Sequence, residues 1–271
     1  MSISRTPTEI IEAYAEAGKQ KGDAPTFKLV LLGILAGCLI AFGSAATNTA
    51  VYGIEETWTA RMICALLFPF GLAMVIATGA ELFTGNCLMV IPAWDHRCTV
   101  TKVLRNWGIV YFSNMVGSVI IAALCGFFGQ MNYSGGQLAL YTMTVAANKC
   151  SLPFVNAVVS GFLCNFLVCL GVLMAFSAKD TVGRILAPFL PVCYFVLCGF
   201  EHCVANMFYI PAGLFAKMVP AYAALAAESG LNLSALTWSN FFVGNLLPVT
   251  IGNMLGSMAL SFIMWRCYLK K

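Results

Sequence analysis

The chain has 271 residues, 60% of them hydrophobic and only 10% charged, with a formal net charge of +4. Soluble domains of this size carry about 25% charged residues, so the composition excludes a water-soluble globule, a disordered chain and a nucleic-acid-binding protein. Apolar runs of about 20 residues, the length needed to cross a bilayer, take up most of the sequence.

The first 26 residues are polar and lack the apolar central region of a cleavable signal peptide. Thr6 and Glu9 have the spacing of a capping box, and Pro7 takes the first helical position. Ile10, Ile11, Tyr14 and Ala17 fall on one side, and Gly18 is placed to end the run. Residues 1–26 therefore read as an amphipathic helix. It lies either on the membrane or the protein's own surface, or serves as a cytoplasmic gate.

Charge-free stretches then place six transmembrane helices at about 29–49, 62–92, 104–128, 153–177, 185–214 and 238–265, within a membrane domain of residues 27–267 followed by a tail at 268–271. The runs are continuously apolar rather than alternating, which argues against a β-barrel and for an all-α membrane protein. Spans two and five are long, and each carries a carboxylate near its middle, Glu81 and Glu201. A polar patch from Gln130 to Gln137 follows the third span.

Six spans put both termini on one side. That side collects Arg5, Lys19, Lys21, Lys28, Arg97, Lys102, Arg105, Lys179, Arg184, Arg266, Lys270 and Lys271, against Arg61, Lys149 and Lys217 on the other. The positive-inside rule then makes both termini cytoplasmic, in a multi-pass inner (plasma) membrane protein. The 12 cysteines include no C-x-x-C pair and lie mostly inside spans, and the only histidines are His96 and His202. Buried cysteine acts as a small hydrophobe, so neither a disulfide framework nor a metal site is expected.

Two pairs of motifs show an internal repeat. Gly79-Ala-Glu81 through Asn86 matches Gly199-Phe-Glu201 through Asn206, and each runs on to Ile-Pro-Ala. Asn106 followed by Asn114-Met-Val-Gly117-Ser118 matches Asn245 followed by Asn253-Met-Leu-Gly256-Ser257. Each copy, about 27–130 and about 150–267, has three spans. An odd number makes the two copies enter the membrane from opposite sides, the inverted-repeat design of transporters and channels. Helix breaks are expected within 80–87 and 200–207. Irregular backbone at that depth survives only when buried in protein or lining a cavity.

The order Glu81-Leu82-Phe83-Thr84, Lys149, Asn165, Gly199-Phe200-Glu201-His202, Ala205-Asn206-Met207 and Pro248 to Asn253 resembles the formate/nitrite transporter family over nearly the whole chain. The resemblance implies an aquaporin-like fold with one pore per protomer, assembled as a homopentamer in membrane lipid. It implies passage of small monovalent anions or their conjugate acids, among them hydrosulfide, formate and nitrite. The general wording of the chain is most similar to the hydrosulfide branch. The aquaporin Asn-Pro-Ala pair is absent, since Asn86 precedes Cys87 and Asn206 precedes Met207.

By the same resemblance, His202, Thr84, Lys149 and Glu201 make up the pore and proton relay. Phe68, Leu72, Leu82, Phe83 and Phe195 stand at or near two apolar constrictions. Asn165, Asn86, Asn206 and Glu81 support the pore.

The chemistry is consistent with that reading. An anion at the bilayer centre costs on the order of several kcal/mol, and protonation to the neutral acid removes that cost. A histidine titrates near 6.5 when unperturbed, which makes His202 the natural donor. Glu201 either tunes that proton or satisfies backbone N–H groups at the break. Lys149 either gathers anions at an outer mouth or snorkels at a span end.

The leading expectation is a channel with His202-assisted proton transfer, the alternative a proton-coupled formate or nitrite symporter. A neutral-solute channel is disfavoured by Lys149 and the apolar rings. A membrane enzyme would need a cofactor or catalytic cluster, and no P-loop, dinucleotide fingerprint or paired histidines occur, so neither cofactor nor nucleic-acid partner is expected.

Overall fold

Residues 4–270, described by a computed structural model, are almost wholly helical. Residues 1–3 and 271, at the outer edges of the expected N-terminal helix and tail, lie outside the described residues.

The amphipathic helix α1 spans Pro7–Asp23. Its capping box is reciprocal: the Glu9 backbone N–H donates to Thr6 Oγ1, and the Thr6 N–H donates to Glu9 Oε2 at 2.7 Å. Gly18 does not end it. The helix runs on because Gly18 serves a close approach instead: a Cβ there would sit 2.8 Å from Pro92 Cγ. The apolar side of α1, with Ile11, Tyr14 and Ala15 fully buried, packs against the membrane domain itself.

The first half continues with α2 (Thr26–Val51), α3 (Thr57–Leu67), α4 (Pro69–Thr78), α5 (Phe83–Asn86), α6 (Val90–Trp94) and α7 (Val100–Phe127). The second half has α8 (Tyr133–Cys150), α9 (Phe154–Ser177), α10 (Thr181–Leu186), α11 (Phe189–Leu197), α12 (Cys203–Met218), α13 (Pro220–Glu228) and α14 (Leu247–Tyr268), the last preceded by a π-helical stretch over Asn240–Leu246. Among the described residues, five helices are long and apolar enough to cross a membrane, or six if the α12–α13 pair, bent by 95°, is one span. The broken second span is α3–α4 followed by Phe83–Trp94, and the broken fifth is α10–α11 followed by α12. Pro220, which begins α13, sits at the 95° bend, since proline removes a helical donor and clashes with the preceding turn.

Two helix pairs carry the frame: α2 lies along α7, and α9 lies along α14. Small residues set their spacing. A Cβ on Gly117 would fall 2.1 Å from the Ile34 carbonyl oxygen, and one on Gly256 would fall 2.1 Å from that of Phe162. Gly117, Ser118, Gly256 and Ser257, small residues of the internal repeat, lie on the faces where these helices meet within one chain. The outward faces of these pairs stay apolar, with Phe27, Phe112, Phe154 and Phe262 among the exposed side chains.

One element was not foreseen. Helix α8 precedes the fourth span as α1 precedes the first, so the repeat includes an extra helix on each side. Its sequence signal is Lys21-Gly-Asp-Ala-Pro25 against Lys149-Cys-Ser-Leu-Pro153. In both cases the proline is the N-cap of the following span.

Candidate functional site

The two breaks run over Gly79–Leu82 and Cys198–His202, starting slightly upstream of the expected windows. Gly79 (φ 68°) and Gly199 (φ 70°) are left-handed, a conformation glycine adopts without a Cβ penalty, and each ends the helix before it. The chain then extends through Leu82 (φ −106°, ψ 123°) and His202 (φ −114°, ψ 114°) before turning helical again.

Extended backbone inside a membrane leaves N–H and C=O groups that need partners. Asn114 and Asn253 supply them from α7 and α14. Asn114 Oδ1 accepts from the Phe83 N–H at 2.9 Å, while its Nδ2 donates to the Gly33 and Glu81 carbonyls, both at 2.8 Å. Asn253 repeats this with the Cys203 N–H (2.9 Å) and the carbonyls of Gly161 (2.7 Å) and Glu201 (3.0 Å). The Glu81 N–H donates to the Leu32 carbonyl at 3.1 Å, and the Glu201 N–H to Ser160 Oγ at 3.0 Å.

The two glutamates head matching polar ladders. Glu81 accepts from Lys21 Nζ at 2.8 Å and Asn86 Nδ2 at 2.6 Å; Asn86 donates on to Asn106 Oδ1, and Asn106 to the Lys21 carbonyl. Glu201 accepts from Lys149 Nζ at 2.8 Å and Asn206 Nδ2 at 2.6 Å; Asn206 donates to Asn245 Oδ1, and Asn245 to the Lys149 carbonyl. Glu201 therefore faces Lys149 and Asn206, and does not satisfy the broken backbone. Lys149 is not a free charge at the mouth: it is paired, its side chain is only 17% exposed, and its Nζ lies 5.4 Å from the Tyr209 ring centroid. Lys21, Asn106 and Asn245 were not expected in the site, although the Asn106–Asn245 match in the repeat was a pointer to them.

Between the ladders the two breaks meet. Thr84 Oγ1 and His202 Nε2 are 2.9 Å apart, and both residues are buried. The Ala205 N–H donates to His202 Nδ1 at 3.1 Å, so His202 caps α12 with its own ring. A ring nitrogen that accepts carries no proton. The neutral imidazole is thereby held as the Nε2–H tautomer, with that N–H directed to Thr84. Asn165 of α9 ties the Thr84 carbonyl (3.2 Å) to the Asn253 carbonyl (2.8 Å).

A cavity of about 320 Å³ opens on the His202 side, lined among others by Lys149, Tyr209, Phe68, Phe195 and His202. A second, of about 200 Å³, opens on the other side, lined among others by Tyr14, Lys21, Leu72 and Leu82. Phe68 and Phe195 line the first, with rings that meet edge-on at a centroid distance of 5.7 Å; Phe195 also stacks at 6.0 Å on His202. Leu72 and Leu82, 4% and 3% exposed, line the second. Phe83 lines neither cavity and packs edge-on against Tyr111 and Trp107. The Thr84–His202 contact thus lies between two cavities that are lined largely by apolar side chains.

Residues 8–267 match the family described as formate/nitrite transporter. The chain belongs to that family, one of membrane-spanning channels and transporters rather than enzymes. It is 36% identical to an uncharacterised transporter, YrhG, of Bacillus subtilis, covering 98% of this chain and 95% of that protein. It is 34% identical to the formate channel FocA of Haemophilus influenzae, over 100% and 96% of the two chains. The solved structure of a pentameric formate channel with formate bound superposes with a TM-score of 0.80 at 35% identity, covering 90% of this chain and 98% of that one. An ion channel of the same family gives 0.82 at 23% identity, over 96% and 99%.

Proposed function

We propose that this protein is a channel for small monovalent anions or their conjugate acids (formate, nitrite or hydrosulfide), with His202 and Thr84 as the polar station between two apolar constrictions. One observation carries the reading: the buried 2.9 Å Thr84–His202 contact joins the two helix breaks. The phenylalanine and leucine walls disfavour a bare ion, and the imidazole N–H offers a hydrogen bond where that ion would be costliest. Formate is supported first, because FocA of Haemophilus influenzae and the pentameric neighbour are both named for it.

His202-assisted proton transfer has a structural requirement. A neutral imidazole that gives up its Nε2 proton must gain one at Nδ1, and that position is occupied by the Ala205 N–H. The relay therefore includes release of the α12 cap, and a channel cycle without net proton entry also requires the proton to return to Nε2 once the acid has passed, with the Nδ1 proton given back to water. The protein works as a homopentamer in the inner membrane, as the pentameric neighbour suggests, with both termini cytoplasmic by the distribution of Lys and Arg. The test is stopped-flow uptake by proteoliposomes of sodium formate, nitrite and hydrosulfide in turn, with an internal pH dye. Anion uptake without obligatory proton co-entry supports the channel; uptake that builds and follows a proton gradient in fixed ratio makes it a symporter.

A further inference from the structure

Among the described residues each cavity is lined by one lysine and one arginine, and only the lysines are neutralised. Lys149 and Lys21 are each 2.8 Å from a glutamate oxygen. Arg61, from α3, lines the wider cavity with no carboxylate among the described residues in ion-pair range. Its Nη1 donates to the Leu197 carbonyl at 3.3 Å, the open end of α11. The guanidinium covers the break: a Cβ on Gly199 would lie 2.9 Å from Nη1. Arg184, in the last turn of α10, lines the narrower cavity, also without an acidic partner among the described residues. Asp180, one turn earlier, is occupied in capping α10 through the Gly183 N–H at 2.8 Å.

A paired lysine presents a dipole to an approaching anion, whereas an unpaired guanidinium presents a full charge. Cavities with low-dielectric walls focus that field and raise local counter-ion concentration. Arginine is also always charged, is more weakly hydrated than an ammonium, and can hold a planar anion with two N–H groups. We propose that Arg61 and Arg184, one at each cavity, are the charges that gather the permeant anion, while Lys149 and Lys21 hold the breaks in shape. The proposal rests on the channel reading above and adds the residues that set capture.

The test uses full-length protein in phosphatidylcholine liposomes, with sodium formate uptake measured well below and well above half-saturation, at low and high ionic strength. Arg61→Gln with Arg184→Gln keeps a donor at each position and removes the charge. It should lower uptake at low formate by about five- to tenfold at low ionic strength. The deficit should shrink as salt screens the field, and saturating flux should change little. Arg61→Lys with Arg184→Lys should restore uptake at low formate. Gln variants with wild-type uptake and salt dependence overturn the proposal. So do Lys variants as impaired as the Gln ones, which would make the arginines structural. Wild-type protein that passes none of the three anions would remove the channel reading itself, a result visible before any variant is compared.

Discussion

Lys21 and Lys149 hold equivalent places in the two halves: each stands four residues before a capping proline, and each reaches 2.8 Å to the glutamate of a helix break. One comes from the amphipathic N-terminal helix and the other from α8, so each break is braced from outside its own span.

Removing either lysine leaves a buried carboxylate uncompensated, which typically costs about 3–5 kcal/mol. Lys21→Met and Lys149→Met should therefore both lower the detergent melting temperature, by similar amounts. Lys149→Met combined with Glu201→Gln should recover part of the loss, because no unpaired charge remains. Thermal scans of the single and double variants check this. A double variant no better than the single would show that the pair's partners, and not its charge, hold the break.

The spans and both breaks were legible because burial on all sides produces charge-free runs and because a glutamate inside such a run stands out. The ladders were harder to read. Lys21 and Lys149 are far in sequence from Glu81 and Glu201, and a lysine near a span end looks the same whether it snorkels or pairs. Gly18 looked like a helix end because its sequence context shows the missing side chain but not Pro92 lying against it. His202 could be picked as a candidate donor, yet its tautomer depends on the Ala205 N–H, which only the extended backbone at the break brings to Nδ1.

Gly117→Ala and Gly256→Ala place a Cβ 2.1 Å from a backbone carbonyl oxygen of the neighbouring helix. Backbone cannot yield as a side-chain tip can, so each should cost at least the roughly 1–3 kcal/mol of an overpacked core and reduce the yield of folded protein. Gly108→Ala, with nothing within 4 Å of its Cβ position, is the matched control. Fluorescence size-exclusion profiles read both, and equal yields for all three would mean that the helix pairs separate more easily than this packing implies.

For orientation, Glu228→Cys and Lys270→Cys place single thiols beyond α12 and near the end of α14. The natural exposed cysteines, Cys198 and Cys267, are replaced by serine to lower background. A membrane-impermeant maleimide applied to intact cells should label position 228 and spare position 270. The reverse pattern would invert the topology read from the Lys and Arg distribution.

The central pair separates a proton relay from a simple lining. Thr84→Val removes the hydroxyl 2.9 Å from His202 Nε2. The imidazole N–H then loses its partner, at a cost of about 1–3 kcal/mol for a buried donor. Flux should fall while its pH dependence keeps its shape, since no titrating group has gone. His202→Asn removes the titrating group, but its side-chain carbonyl can still accept the α12 cap. If His202 protonates the anion, this variant should pass only acid already neutral in solution, so its flux should climb steadily as pH falls. Wild-type protein should keep substantial flux at neutral pH, where little neutral formic or nitrous acid exists. The two pH–flux curves, measured on the same liposome preparation with matched protein content, carry the comparison. Curves that superimpose after scaling would leave His202 as a neutral hydrogen-bond donor, with its α12 cap never released. The proton would then come from water in the wider cavity, or the anion would cross bare.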